Sequence, residues 1–282
     1  YDKSKKALKS AKEKLEKVLN RLIEKQKIDK KESKRILTNI KFSDSIKEIE
    51  KAEIVVEAII EDLGIKKDMF QKIENLVSDK CIIATNTSSI SITSIASACK
   101  RPERVIGMHF FNPAPLMPLV EIIPAIQTSD DIIKKTLTLS ESWKKTTVLC
   151  KDTPGFIVNR LARSFYSESI RIFEETIANK ETIDWAMKEL GGFRMGPFEL
   201  MDYIGNDVNY KVTETVFNEF YFDQRYKPSI TQKRLVEAGY YGRKSGRGYY
   251  NYSEKTDLNI DKNRELGKKI VWRVLCMLIN RS

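Results

Sequence analysis

From residue 53 to residue 152, short β-branched runs alternate with helical stretches, and this alternation constrains the fold more than any other feature of the chain. EIVVEAII (53–60), KCIIATN (80–86), RVIGMHFF (104–111), LVEIIPA (119–125) and TTVLCKD (146–152) each read as a strand. Between the first two, Ile65, Met69, Ile73 and Val77 recur at helical spacing. Strand, helix, strand in sequence predicts a parallel crossover and a layered α/β sheet. After Pro154 the texture becomes helical, from FIVNRLARSFYSESIRIFEETIA (156–178) through ETIDWAMKEL (181–190) and on beyond Met201. The expected organisation is an α/β domain over 1–150 followed by an all-α domain over 151–253. Gly191–Gly192 and Gly196–Pro197 interrupt helices, and GRKSGRGYY (242–250) reads as a Gly-rich turn. Near the end, Leu266, Ile270, Val274, Met277 and Leu278 lie at helical spacing among basic residues, which predicts a helix whose apolar face needs a partner.

The 282 residues are enough for two ordinary domains, and the longest apolar runs fall well short of the ~20 residues that cross a bilayer. No membrane association is expected. Cys81, Cys99, Cys150 and Cys276 form no CxxC pair, so neither a disulfide framework nor a cysteine metal site is expected, and a reducing cytoplasm is the natural compartment. With a single histidine no metal set is expected. The net charge of +11 raises the question of nucleic acid. Most of it is local: residues 3–35 carry 14 Lys/Arg and 5 Asp/Glu, with Leu8, Ala11, Leu15, Val18 and Leu22 on one helical face. This pattern reads as an amphipathic helix with a solvated lysine face, or as a surface that attracts a phosphorylated small molecule. Without aromatic residues among the lysines after Tyr1, no nucleic-acid partner is expected.

The one histidine, His109, ends a strand in GMHFFNP, where open α/β sheets gather ligands. Beside two phenylalanines it is also open to a plain core role. Glu121, twelve residues on in the next strand between Val120 and Ile122, can meet it if the strands return on one another. A carboxylate that orients an imidazole leaves the other ring nitrogen free to take a proton. ATNTSS (84–89) ends another strand with short hydroxyls that suit either a helix cap before Ile90 or a substrate oxygen held by Ser88, with Asn112 near His109. Asn159, early in the helical domain, can reach the same cleft, though taken alone it reads as a surface or capping residue. A Ser88–His109–Glu121 nucleophile triad stays conceivable, but no GxSxG elbow supports it. Proton abstraction from an alcohol or a carbonyl neighbour is the better class, with acyl transfer behind it.

NTSS (86–89), KRPERVIGMHFFNPAPLMPLVEIIP (100–124), KDTPGFIVNRL (151–161), MGPFELMDYIG (195–205) and GRKSGRGYY together closely resemble the 3-hydroxyacyl-CoA dehydrogenase family over about residues 1–253. The resemblance implies a Rossmann-type NAD-binding domain followed by an all-α 6-phosphogluconate-dehydrogenase-like domain. It further implies NAD-dependent oxidation of an (S)-3-hydroxyacyl-CoA to the 3-oxoacyl-CoA, with a short chain such as 3-hydroxybutyryl-CoA expected, and dimerisation through the helical domain. By motif, His109 resembles the catalytic base, Glu121 its orienting carboxylate, and Ser88 and Asn159 the groups that hold the substrate oxygen. Asp2, Glu61, Lys66, Asn86, Asn112 and Lys244 resemble cofactor contacts, Asp2 favouring NAD over NADP by repelling a 2′-phosphate. Lys25 is an expected contact for the CoA nucleotide on position alone.

The family's opening strand, GxGxxG turn and helix have no match here, because the chain begins YDKSKKAL. The expectation is a fragment lacking that N-terminal portion and binding NAD weakly by itself. Residues 254–282 are expected to be a linker and the start of a second helical module, or else an ordinary docking helix. Same-fold alternatives are a module of a multifunctional β-oxidation enzyme and a related hydroxy-acid dehydrogenase. The non-enzymatic alternative is a basic binding or scaffold protein with an inactive cleft.

Overall fold

In a computed structural model that describes residues 1–254 and 259–279, five strands form one sheet. They are β1 (Ile54–Glu57), β2 (Ile82–Thr85), β3 (Val105–Phe110), β4 (Leu119–Pro124) and β5 (Thr146–Leu149), in the spatial order β1-β2-β3-β4-β5. Neighbours pair in parallel except β3 and β4, which are antiparallel. The parallel steps need crossovers, supplied by α3 (Leu63–Leu76) between β1 and β2, α4 (Ile92–Ala96) between β2 and β3, and α5 (Asp130–Ser142) between β4 and β5. The antiparallel step turns the chain back on itself within eight residues. Each strand is shorter than its apolar run suggests, because the ends of those runs serve as loops at the rim of the sheet.

Alternate residues of the strands feed two cores. Ile83, Val105 and Ile123 pack with Phe70 and Ile73 of α3 and Ile92 and Ile95 of α4. On the opposite face Ile82, Ala84, Ile106, Met108, Val120 and Ile122 pack with Ile132 of α5. Gly107 lies where a Cβ would come within 2.8 Å of Ile92, so the close approach of α4 to β3 requires a glycine there. The lysine-rich segment forms α1 (Lys5–Glu24) and α2 (Lys30–Thr38). In α1 only Leu19 is fully buried, while Leu8, Leu15, Val18 and Leu22 are half-buried and Ala11 is exposed. The apolar stripe is therefore a shallow footing under a solvated lysine surface. Beside the edge strand β1 runs a cavity of about 690 Å³, walled on its far side by Tyr1, Asp2 and Lys3.

The helical domain contains α6 (Val158–Glu174), α7 (Lys180–Glu189), α8 (Pro197–Ile204), α9 (Asn206–Glu219), α10 (Ile230–Glu237) and α11 (Arg264–Ile279). Phe165, Ile170, Ile183, Met187, Phe198 and Met201 form its core together with Ile270, Val271 and Val274 of α11. The apolar face of α11 is thus covered by α6 and α7 of this same chain, which answers the partner that its sequence demands. Residues 255–258 and 280–282, part of the segment expected to open a second module, lie outside the described residues.

Two buried aspartates tie this domain together. Asp184 accepts the amides of Phe198 and Glu199 at the start of α8 and the Tyr250 hydroxyl, all at 2.7–2.9 Å. Burial pushes its carboxyl up to about 7 against the downward pull of those three donors. Asp202 accepts Asn206 Nδ2, the amides of Tyr249 and Tyr250, and the Tyr252 hydroxyl. The Gly-rich turn folds closely over it. Gly242 has φ +94°, and a Cβ there would stand 2.2 Å from the Asp202 carbonyl oxygen. Gly239 has φ +72° but open space around it. In urea unfolding, Gly239→Ala should cost about 1 kcal/mol from backbone strain alone, and Gly242→Ala at least about 2 kcal/mol because steric overlap is added. Equal losses would contradict the close packing of this turn.

Candidate active site

The antiparallel register sets His109 of β3 directly opposite Glu121 of β4. Side chains at opposed positions share one face of a sheet. His109 Nδ1 and Glu121 Oε2 are 2.6 Å apart. The Glu121 side chain is 0% exposed, and its other oxygen accepts the amides of Ile157 at 3.0 Å and Val158 at 2.8 Å. A buried carboxyl that already accepts two backbone N–H groups is an acceptor toward the imidazole as well, so Nδ1 carries the ring proton and Nε2 keeps its lone pair.

The two amides come from the turn that leads into α6, where unpaired N–H groups and the helix dipole favour a negative charge. Gly155 (φ +73°) and Phe156 (φ +48°) bend that turn through the left-handed region. The second of these is strained for a non-glycine residue. Its side chain is buried and lies 5.7 Å from the His109 ring, centroid to centroid, while Phe111 meets the ring edge-on at 4.7 Å. The Cys150 thiol is pushed up to about 12 by burial and by the Glu121 carboxylate beside it. Asn159 follows Val158 in the first turn of α6, half-buried, which places it at the same junction.

A second constellation stands at the same end of the sheet, beyond β2. Asn86 Oδ1 accepts the Phe110 amide at 2.8 Å and so ties the ends of β2 and β3 together. Glu61 Oε1 accepts the Ser88 amide at 2.7 Å, the Thr87 hydroxyl at 2.8 Å and the Ser88 hydroxyl at 3.1 Å. Its Oε2 lies 3.2 Å from the Lys66 ammonium, which also bonds Glu57 at 2.7 Å. Partial burial raises the Glu61 carboxyl, but the Ser88 amide, the Thr87 hydroxyl and Lys66 outweigh it, and the net shift is below the ordinary value. Lys66 is 1% exposed. This residue, expected from the resemblance to contact the cofactor, has its ammonium enclosed by two carboxylates, where the helical phase of α3 turns it inward.

The remaining expected site residues are distributed more widely. Asn112 is exposed just past the end of β3. Asp2 accepts the Ser4 amide and borders the cavity beside β1, Lys25 is exposed at the end of α1, and Lys244 pairs with Asp207 in the helical domain. The helix cap expected near Ser88 is supplied by Ser91, whose hydroxyl accepts the Ser94 amide. Sequence reasoning missed Asp152, which accepts the Ser91 hydroxyl and the Ile92 and Thr93 amides and so joins α4 to the domain boundary. It also missed Glu57, whose charge inside a β-branched run was the available signal.

For a dinucleotide, the chemistry of the donor set fits the ribose positions: Glu61 and Asp2 are carboxylates able to accept sugar hydroxyls. A glycine-rich pyrophosphate turn has no counterpart, since no glycine precedes Gly64. The cavity beside β1 is lined mainly by isoleucine and valine and offers no anion cradle.

Two family models match the chain: 3-hydroxyacyl-CoA dehydrogenase, NAD binding domain, over residues 1–153, and 3-hydroxyacyl-CoA dehydrogenase, C-terminal domain, over residues 155–252. The first match begins at residue 1 and gives no support to the expectation of a lacking N-terminal portion. The chain is 43% identical to the 3-hydroxyadipyl-CoA dehydrogenase of Escherichia coli over 252 residues, 89% of this chain and 53% of that protein. It is 40% identical to a probable 3-hydroxybutyryl-CoA dehydrogenase of Bacillus subtilis, covering 91% of this chain and 89% of that one. The chain thus spans about half the length of the first relative and most of the second. Among solved structures, the (S)-3-hydroxybutyryl-CoA dehydrogenase of Ralstonia eutropha superimposes with a TM-score of 0.85 at 39% identity, over 89% of this chain and 88% of that one.

Removing the Glu121 carboxylate orphans a ring N–H and two part-buried amides. Glu121→Ala should lower unfolding stability in urea by about 2–4 kcal/mol, and Glu121→Gln by less because its amide oxygen still accepts. Equal losses for the two variants would contradict this wiring.

Proposed function

The chain belongs to the 3-hydroxyacyl-CoA dehydrogenase family, and from that membership we propose that it oxidises the C3 hydroxyl of an (S)-3-hydroxyacyl-CoA with NAD, short acyl chains such as 3-hydroxybutyryl being the substrates. The observation that carries the reading is the buried His109–Glu121 pair near the C-terminal end of β3, in which the carboxylate engages Nδ1 and leaves Nε2 as the other ring nitrogen. In this mechanism Glu121 holds the ring proton on Nδ1, and His109 Nε2 accepts the proton of the substrate hydroxyl. The carboxylate stabilises the imidazolium that results. Ser88, at the end of β2, and Asn159, at the start of α6, hold the substrate oxygen from opposite sides of the domain boundary. Bound NAD supplies the acceptor for the hydride that leaves C3. Glu61 and Asp2 are the residues for its riboses, with Asn86 and Asn112 at the rim near the reacting end.

The same reading includes a homodimer and a cytoplasmic setting. Tyr203, Val208, Phe222, Ile230 and Trp272 are large apolar side chains exposed on the helical domain, a surface suited to a second copy. All four cysteines are free thiols, as a reducing compartment allows. Among the described residues no helix is long and apolar enough to cross a membrane.

The test is NADH formation from NAD and (S)-3-hydroxybutyryl-CoA. His109→Ala should lower kcat by roughly 10²–10⁴-fold with substrate KM little changed, as expected for loss of a general base. Turnover in the variant comparable to wild type would overturn the assignment.

A further inference from the structure

Arg163, in the second turn of α6, is 4% exposed, and no carboxylate stands within ion-pair distance of it among the described residues. Neutral acceptors hold its guanidinium instead. Nε donates to the Asn159 carbonyl at 3.0 Å, and Nη1 donates to the Asn209 carbonyl at 3.0 Å and the Thr213 hydroxyl at 2.7 Å, both on α9. The Tyr166 ring centroid lies 5.0 Å from Cζ. Burial pushes the group down to about 10, so it still carries its charge at neutral pH. A buried cation without a counter-charge costs stability that an apolar side chain of similar length does not. The two carbonyls have other partners: both lie inside helices, where the N–H four residues on bonds them, and the Asn209 carbonyl also accepts the Thr213 hydroxyl at 2.8 Å. Packing and hydrogen bonding therefore do not by themselves call for a charge at this position.

The charge meets the domain boundary at the first turn of α6, which has no side-chain cap of its own. From the side of the sheet, Glu121 accepts the Ile157 and Val158 amides. From the side of the helical domain, Arg163 takes the carbonyl of the next residue, Asn159, and joins it to α9. We propose that Arg163 is a positioning residue for the dehydrogenase reaction, tying the first turn of α6 to α9 and so setting where Asn159 stands at the domain boundary. The inference rests on the functional reading above, in which Asn159 holds the substrate oxygen. Without the guanidinium the turn keeps Glu121 but loses its bridge to α9, and it shifts with the sheet rather than with the helical domain. A group that holds the reacting oxygen and is displaced by about 1 Å can cost as much as ~10²-fold in rate. Arg163 reaches the reacting atoms only through Asn159, so its loss falls on kcat more than on the KM for acyl-CoA.

Arg163→Met, Asn159→Ala and the double variant are assayed for kcat and KM with NAD and (S)-3-hydroxybutyryl-CoA. Thermal unfolding and amide hydrogen exchange of the 157–162 segment are measured on the same proteins without substrate. Arg163→Met is expected to lower kcat by about 10-fold or more in the Asn159-containing protein and by less than about threefold in the Asn159→Ala background. Its melting temperature should equal or exceed that of the wild type, because the buried charge is gone, while exchange at 157–162 accelerates through local opening. A residue that only holds the fold together would give the reverse: a lower melting temperature, or failure to fold, with equal kcat losses in both backgrounds. Either of those results, or wild-type exchange at 157–162, would overturn the proposal. If the wild-type protein shows no turnover of the acyl-CoA, the functional reading fails, and the unfolding and exchange results still decide whether Arg163 holds the first turn of α6.

Discussion

The Glu121 carboxylate is the point on which the two domains and the chemistry meet. It is buried in a strand of the sheet, it accepts a proton-bearing nitrogen from the neighbouring strand, and it accepts two amides from the first turn of the helical domain. A carboxylate placed there without those donors would be prohibitively costly to bury. With them it is the acceptor for three donors from two separate segments of chain. The turn that brings the amides in runs through two successive left-handed residues, Gly155 and Phe156, and the strain of the second is offset by packing its ring against the same imidazole it helps to orient. Position of His109, orientation of its ring and the docking of α6 are consequently one structural event.

The helical domain is held by a related device. Asp184 and Asp202 are nearly fully buried acceptors that gather amides and tyrosine hydroxyls from segments far apart in sequence. Glycines at 196 and 248 leave the room these carboxylates occupy, and Gly242 makes room for the Asp202 backbone, since a Cβ at any of the three would come within 2.4 Å of an Asp184 or Asp202 atom. Buried acids with short-range donors thus set the geometry in both halves of the protein. Apolar packing supplies most of the stabilisation around them without fixing direction.

Much of this was legible in the sequence. Short β-branched runs, the helical spacing between the first two and the change of texture after Pro154 are sufficient to predict a layered α/β sheet followed by helices. The pairing of His109 with Glu121 followed from an acidic residue in an apolar strand, set twelve residues from the only histidine, and the register places them opposite each other. The enclosure of Lys66 between two carboxylates was not legible, because it depends on the three-dimensional phase of α3. Glu57 and Asp152 were missed for a similar reason: their roles depend on partners 28 and 61 residues away. The lysine-rich start forms the amphipathic helix its periodicity predicts, with a solvated lysine face and an apolar stripe that fully buries only Leu19.

Because the chain has one histidine, the central claim has a direct spectroscopic test. With the protein labelled with ¹⁵N at histidine, a long-range ¹H–¹⁵N correlation spectrum reads which nitrogen of the neutral ring carries the proton. The account predicts the Nδ1–H form in the wild-type protein, with Nε2 bare, and loss of that preference in Glu121→Ala. A wild-type ring protonated at Nε2, or a tautomer indifferent to Glu121, would contradict the assignment of His109 as a base held ready by a buried carboxylate.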